Sequence, residues 1–262
     1  MRYIIDCDPG HDDTVAILLA ASVLKVSGIT TVYGNAPVSA TTRNALDFLA
    51  LAGLDIPVFR GSEKPLKRSR TAANVHGRSG LDGADLPSSQ QQVEEIDAIE
   101  FIARLAREPK SLTVIATGPL TNLARALQRF SHVEAGIASL SIMGATAGRS
   151  NTTAEAEFNA YSDPEALETL LASTIPMSVV GYDITSQVGL SDNQIARLEN
   201  SGRRVGEFIG KVMRLYRSRQ LVVTGLDIAP QHDACAVLPF LAPGLATYEE
   251  VRAAVELEGA LT

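Results

Sequence analysis

The sequence predicts an α/β protein with an open, mainly parallel β-sheet and helices on both faces. Three observations lead there. Short β-rich apolar runs alternate along the chain with longer helix-like runs. Several of the β-rich runs are followed at once by a residue with a polar or acidic side chain, the pattern of a parallel sheet that gathers its functional groups where the strands end. The 262 residues are 45% hydrophobic, enough to bury one large core. No internal repeat, low-complexity tract or composition break divides them, so residues 1–262 read as one domain.

Residues 3–7 form the first strand candidate, and residues 14–21, apolar almost throughout, a buried helix. Residues 26–33 make a second strand, residues 41–52 a helix and residues 57–60 a short strand. Residues 97–107 carry helical spacing in Ile99, Phe101, Ile102 and Leu105. A strand at 112–116 and a helix at 120–130 follow, then strands at 140–143 and 177–180 on either side of a helix at 164–172. Residues 251–257 are strand-like. Residues 61–94 and 144–163 are long and irregular, and loops of that length inside a compact domain tend to be functional. In a parallel sheet, Asp8, Asn35, Thr117 and the loop from Gly144 all leave at one edge.

Charge and composition exclude several classes. The formal net charge of −7 lacks the basic stripe of a nucleic-acid binder or a polybasic membrane-surface protein. No apolar run approaches the roughly 20 residues of a membrane span. Residues 1–5 run straight into a strand with no secretory signal, and two cysteines, Cys7 and Cys235, make a disulfide framework improbable. A cytoplasmic protein is expected.

Asp6, Asp8, Asp12 and Asp13 lie within eight residues. Asp6 and Asp8 share a face at a strand end, Pro9-Gly10 turns the chain, and Asp12 and Asp13 open a helix whose N-terminus favours negative charge. That dipole does not cancel the repulsion among four carboxylates, whereas a hard divalent cation, calcium or magnesium, does. Helix capping by one aspartate with the others solvated is the plain alternative. Far along the chain, His232-Asp233 precedes the apolar run 234–241, which places both at a helix start, with Asp233 available to complete a metal site or simply to cap.

Together these segments resemble the inosine-uridine preferring nucleoside hydrolase family. The matching residues are Asp6-Cys7-Asp8-Pro9-Gly10-His11-Asp12-Asp13, Gly34-Asn35, Asn74-Val75-His76-Gly77 with Gly80-Leu81-Asp82-Gly83, and Thr117-Gly118-Pro119-Leu120-Thr121-Asn122. They continue with Ile142-Met143-Gly144, Asn151, Ala156-Glu157-Phe158-Asn159, Asp163-Pro164-Glu165-Ala166 and His232-Asp233. The resemblance implies a Rossmann-like core and hydrolysis of ribonucleosides to ribose and free nucleobase, with a Ca²⁺-bound water as nucleophile. Asp8, Asp13, Asp233 and the Thr117 carbonyl would hold one Ca²⁺, and Asp8 would also be the general base. Asp12, Asn151, Glu157 and Asn159 would bind the ribose hydroxyls, and Asn35 would position Asp8 or the sugar. Met143 and Phe158 would line the sugar pocket. His76 would lie in a mobile loop near the base, and His232 would face the departing nucleobase. The family also implies a homodimer or homotetramer working in nucleoside catabolism or pyrimidine salvage.

The sequence departs from the family pattern in three places. Thr224 stands where some pyrimidine-preferring members carry a tyrosine, and Tyr216 is too far along the chain to be expected as its substitute. There is no tryptophan to stack a purine. The family pattern continues past Thr262, so the C-terminal part is expected to be shortened. Residues 74–78 and 212–226 are expected to shape the base pocket, and His11 with the Asn74-Val75-His76-Gly77 segment leans toward a pyrimidine or broad preference. Two rival readings remain open: a nucleoside- or ribose-binding protein on a weakened scaffold, and a haloacid-dehalogenase-like phosphatase, which also begins strand-Asp-x-Asp.

Overall fold

A computed structural model of the chain describes residues 1–71 and 76–258. Six strands, β1 (Arg2–Cys7), β2 (Val26–Thr31), β3 (Val58–Arg60), β4 (Leu112–Ala116), β5 (Ile137–Met143) and β6 (Met177–Val180), form one wholly parallel sheet. Their order is β3-β2-β1-β4-β5-β6. The chain order reverses between β1 and β4, and a crevice opens at such a switch point beyond the strand ends. β1 and β4 are the central strands; Ile4, Ile5 and every residue of β4 are buried, as expected of strands covered on both faces.

Eleven helices occur among the described residues: α1 (His11–Val23), α2 (Val38–Ala52), α3 (Ala98–Leu105), α4 (Thr121–Arg129), α5 (Val133–Gly136), α6 (Phe158–Ser162), α7 (Pro164–Leu171), α8 (Tyr182–Thr185), α9 (Asp192–Glu199), α10 (Arg204–Thr224) and α11 (His232–Leu241). One face of the sheet packs on a core drawn from α1, α2, α10 and α11, with Ile17, Phe48, Val212 and Val237 at its centre. The other packs on α3, α4 and α7 through Ile102, Leu123 and Leu170. This two-faced arrangement is the one expected from the alternation of elements. A short antiparallel pair, β7 (Gly189–Leu190) with β8 (Ala229–Pro230), lies apart from the main sheet. Cys7 and Cys235 are buried free thiols. Among the described residues, no helix is long and apolar enough to cross a membrane.

Several boundaries differ from expectation. Strand β2 stops at Thr31, although the Val32 N–H still donates to the Cys7 carbonyl at 2.9 Å, and β5 begins three residues early, at Ile137. Helices α1 and α2 also start three residues early, at His11 and Val38. The long helix α10 was not anticipated: apart from Phe208, Ile209, Gly210, Val212, Met213, Tyr216 and Gln220 its residues are not buried, so no continuous apolar run marks it. Gly225, with φ of 77°, ends it in the left-handed conformation that glycine adopts without penalty. Residues 251–257 form no strand; Val251 is 74% exposed, and Arg68 holds the segment by donating to the Leu257 carbonyl.

Candidate active site

A cavity of about 370 Å³ opens at the carboxyl edge of the sheet, over the switch point. Asp8 follows β1, Asn35 lies in the turn after β2, Thr117 follows β4 and Met143 ends β5, and all four line it. The walls also include Asp12, His76, Asn151, Glu157, Phe158, Asn159, His232 and Asp233. Asp13 sits directly behind, fully buried. The structure thus brings every site residue expected from sequence to one place. Asn74 and Val75 of the same motif lie outside the described residues.

Carboxylate oxygens of Asp12, Asp13 and Asp233 lie within 4.8 Å of one another. Two come from the first turn of α1 and one from the first turn of α11. Asp13 accepts hydrogen bonds from the Gly10 N–H at 2.8 Å, the Thr117 hydroxyl at 2.9 Å and Asn35 Nδ2 at 3.3 Å. Asp8 stands outside that trio, its Oδ2 taken by the Asn35 N–H at 2.6 Å. Two glycines wall it in: a Cβ on Gly34 would lie 1.9 Å from Asp8 Oδ2, and one on Gly118 would lie 2.8 Å from Oδ1. Gly34 is therefore required by close approach, which gives the short Gly34-Asn35 match a physical reason. Asp6 is not part of the cluster; Thr30 and Asn122 hold its Oδ1 at 2.6 Å and 2.8 Å beneath the site.

Burial and mutual repulsion define the electrostatics. Burial, reinforced by Asp13, pushes the Asp12 carboxyl up to about 8. Asp8 and Asp233 rise well above the usual carboxylate range, again through burial first and neighbouring aspartates second. Asp13 also rises through burial, with the Asp233 carboxylate close beside it. A buried, all-oxygen donor set of this charge fits a hard divalent cation and lacks the thiolate and imidazole ligands zinc prefers.

On one wall, Glu157 caps α6 and accepts from the N–H groups of Ala145 (3.0 Å), Asn159 (2.9 Å) and Ala160 (3.1 Å). Burial raises it to about 7 against those donors. Asn159 Nδ2 donates to the Thr117 carbonyl at 2.8 Å and to the Met143 carbonyl at 3.2 Å, tying β4 to β5. Asn151 accepts the Phe158 N–H at 2.9 Å and lies on the outer, exposed rim.

On the opposite side, His76 is only 6% exposed and packs against His11 and Tyr216 with ring centroids 5.1 Å from each. His11 is completely buried and stacks on Tyr216 at 5.0 Å, its Nε2 donating to the Asp82 carbonyl at 2.7 Å. His232 Nδ1 meets the Thr185 hydroxyl at 2.8 Å beside the Tyr182 ring, and burial lowers its pKa to about 3. Tyr216 corrects an expectation. It lies two turns before Thr224 on α10 and lines the same cavity, as do Gln220 and Val223. The spacing 216, 220, 224 marks one face of a helix and was available in the sequence. Tyr182 had no such signal.

Comparison with known proteins agrees with this geometry. The family model described as inosine-uridine preferring nucleoside hydrolase matches residues 3–262. A protein of Schizosaccharomyces pombe is 41% identical, aligned over 100% of this chain and 87% of its own length. A pyrimidine-specific ribonucleoside hydrolase, RihA, of Citrobacter koseri is 39% identical over 100% of this chain and 86% of its own length. Among solved structures, a plant nucleoside hydrolase superimposes with a TM-score of 0.93 at 31% identity, covering 99% of this chain and 84% of that one. A purine-preferring ribonucleoside hydrolase from Gardnerella vaginalis gives 0.94 at 28% identity, covering 100% and 86%.

Proposed function

Because the chain belongs to the inosine-uridine preferring nucleoside hydrolase family, it is an enzyme that hydrolyses the N-glycosidic bond of ribonucleosides, and we propose that it favours pyrimidine ribonucleosides and uses Ca²⁺. The observation that carries the proposal is the meeting of Asp12 and Asp13 with Asp233 at the floor of a cavity large enough for a nucleoside. The pyrimidine preference is supported by the similarity to the pyrimidine-specific relative and by the imidazoles of His76 and His232 on the cavity wall.

Asp13 and Asp233, with Asp8 and the Thr117 carbonyl, would hold the cation, and Asp12 lies close enough to join them. When bound, Ca²⁺ supplies positive charge that offsets the carboxylates, chelates a vicinal diol and acidifies water beside it. Asp8 accepts the proton of the attacking water; the Asn35 N–H and the two glycines hold its carboxylate in one orientation. Breaking the N-ribosidic bond builds positive charge at the anomeric carbon, which the surrounding carboxylates favour. Asp12, Asn151, Glu157 and Asn159 bind the ribose hydroxyls, Asn35 helps orient Asp8, and Met143 and Phe158 close the sugar pocket. His232 donates to the departing base. Burial keeps its imidazole neutral, so it acts by sharing an N–H while the Thr185 hydroxyl fixes its ring.

A ribonucleoside panel assayed by reducing-sugar release, with and without chelator, tests the reading. Uridine and cytidine should be cleaved, chelator should abolish turnover, and 2′-deoxyuridine should be cleaved on the order of 10²-fold less well, because one hydroxyl partner is missing. Chelator-insensitive turnover would refute the metal assignment, and tight ribonucleoside binding without turnover would favour a binding protein.

A further inference from the structure

The segment that presents His76 is knotted around one side chain, Asp82. Asp82 Oδ1 accepts from the Ser79 N–H at 3.2 Å and the Ser79 hydroxyl at 2.6 Å, while Oδ2 accepts from the Arg78 N–H at 3.3 Å. The backbone of the same residue closes the turn again. Its N–H donates to the His76 carbonyl at 3.4 Å, and its carbonyl receives His11 Nε2 at 2.7 Å. Gly77 has φ of 82°, and a Cβ there would lie 1.9 Å from Asp82 Oδ2, so the knot closes only over glycine.

The outer tie runs to a different element. Arg219 of α10 donates from Nη2 to Asp82 Oδ2 at 3.2 Å, spanning 137 residues of sequence. Arg219 stands between Tyr216, which packs on both histidines, and Gln220, which lines the cavity. The pair is part-exposed, with side-chain accessibilities of 29% and 32%. Ion pairs at that exposure contribute little to global stability. Their effect is geometric: this one fixes how the His76 turn sits against the cavity-lining helix.

We propose that Arg219 is a positioning residue which, through Asp82, holds the His76 imidazole at the nucleobase end of the cavity. It acts on base recognition and departure and leaves the chemistry at the ribose untouched. The inference rests on the nucleoside-hydrolase reading of the site. Among the described residues, Asp82 and Arg219 make no hydrogen bond to a group that the mechanism places on the ribose, so their loss should separate substrates by leaving group.

The test is steady-state kinetics of the full chain with Ca²⁺ on uridine and on 4-nitrophenyl riboside, whose leaving group departs without help. Arg219→Gln and Asp82→Ala should each lower kcat/KM for uridine by about tenfold or more, mainly through KM. Turnover of 4-nitrophenyl riboside should stay within about twofold of the parent. The double variant should lose less than the two single losses combined, as expected for two ends of one contact. Arg219→Lys, which keeps the charge, should recover part of the loss. Equal loss on both substrates in variants with the parent's melting temperature, or no loss on uridine in either single variant, overturns the proposal. If one variant does not fold, the other and Arg219→Lys decide. A parent protein inactive on both substrates instead refutes the underlying hydrolase reading.

Discussion

Replacing Gly34 by alanine adds one methyl group at the point where the turn after β2 meets Asp8. The added carbon would lie 1.9 Å from Asp8 Oδ2, more than 1 Å inside the 3.0 Å separation below which something must shift. On the other side of the carboxylate lies Gly118, where a Cβ would sit 2.8 Å from Oδ1. Either Asp8 swings or the turn lifts, and both lengthen the 2.6 Å bond from the Asn35 N–H. A hydrogen bond to a charged group contributes about 1.5–3 kcal/mol. Misplacing a reacting group by about 1 Å can cost on the order of 10²-fold in rate. Uridine hydrolysis by Gly34→Ala should therefore fall on the order of 10²-fold in kcat/KM, with a melting temperature several degrees below the parent's. Gly53→Ala is the matched control: its φ of 66° makes alanine costly by about 1 kcal/mol, yet nothing lies within 4 Å of the new Cβ, so kinetics should not change. Gly34→Ala activity within about threefold of the parent would show that the orientation of Asp8 does not govern the rate.

Asp8→Ala should abolish uridine and inosine hydrolysis, since it removes the proton acceptor and a cation ligand together; near-normal turnover would remove Asp8 from the mechanism. His232→Ala should slow ribonucleosides far more than 4-nitrophenyl riboside, and equal slowing would show that His232 does not assist the leaving base. Chelated protein should lose stability as pH rises. Burial lifts Asp6 to about 6, Glu157 to about 7 and Asp12, with help from Asp13, to about 8, all above the usual 3.8 or 4.5, so the folded state binds the extra protons. That stability is fully present below about 4 and is lost as pH climbs to about 8. Differential scanning fluorimetry in chelator should show a melting temperature that falls from about pH 6.5 to 8, where the buried, down-shifted histidines are neutral in folded and unfolded chains alike, with Ca²⁺ raising it most at the alkaline end; a rise across that range would contradict the assignment of these groups.

The architecture was legible because the parallel sheet writes itself as separate apolar runs, and three of them end at a residue that reaches the cavity: Asp8, Thr117, and Met143 as the last of its strand. The acidic set was legible for the same reason, since Asp12 and Asp13 had to open a helix after the Pro9-Gly10 turn. Helix α10 was hidden because its buried positions are scattered among arginines and exposed valines, and Val222 is 84% exposed at its end. Residues 251–257 misled in the opposite sense: apolar Val251, Ala253, Val255 and Leu257 alternate as in a strand, but among the described residues no strand pairs with them. Tyr182 reaches the cavity only through the packing of helices around it, which local sequence does not encode, whereas Tyr216 shares the 216, 220, 224 face that the sequence did carry. The Asp82–Arg219 tie likewise joins residues whose proximity depends on the whole topology.

The carboxylate trio joins the first helix to the last, across more than two hundred residues of intervening chain. The N-terminal half carries Asp12 and Asp13 but not Asp233, so the full trio exists only in molecules whose two ends have docked. The part of an ion's binding free energy that depends on Asp233 is lost when either end lets go. Calcium occupancy would then report on the integrity of the whole tertiary structure, and its dissociation rate would be bounded by the opening of the contact between α1 and α11.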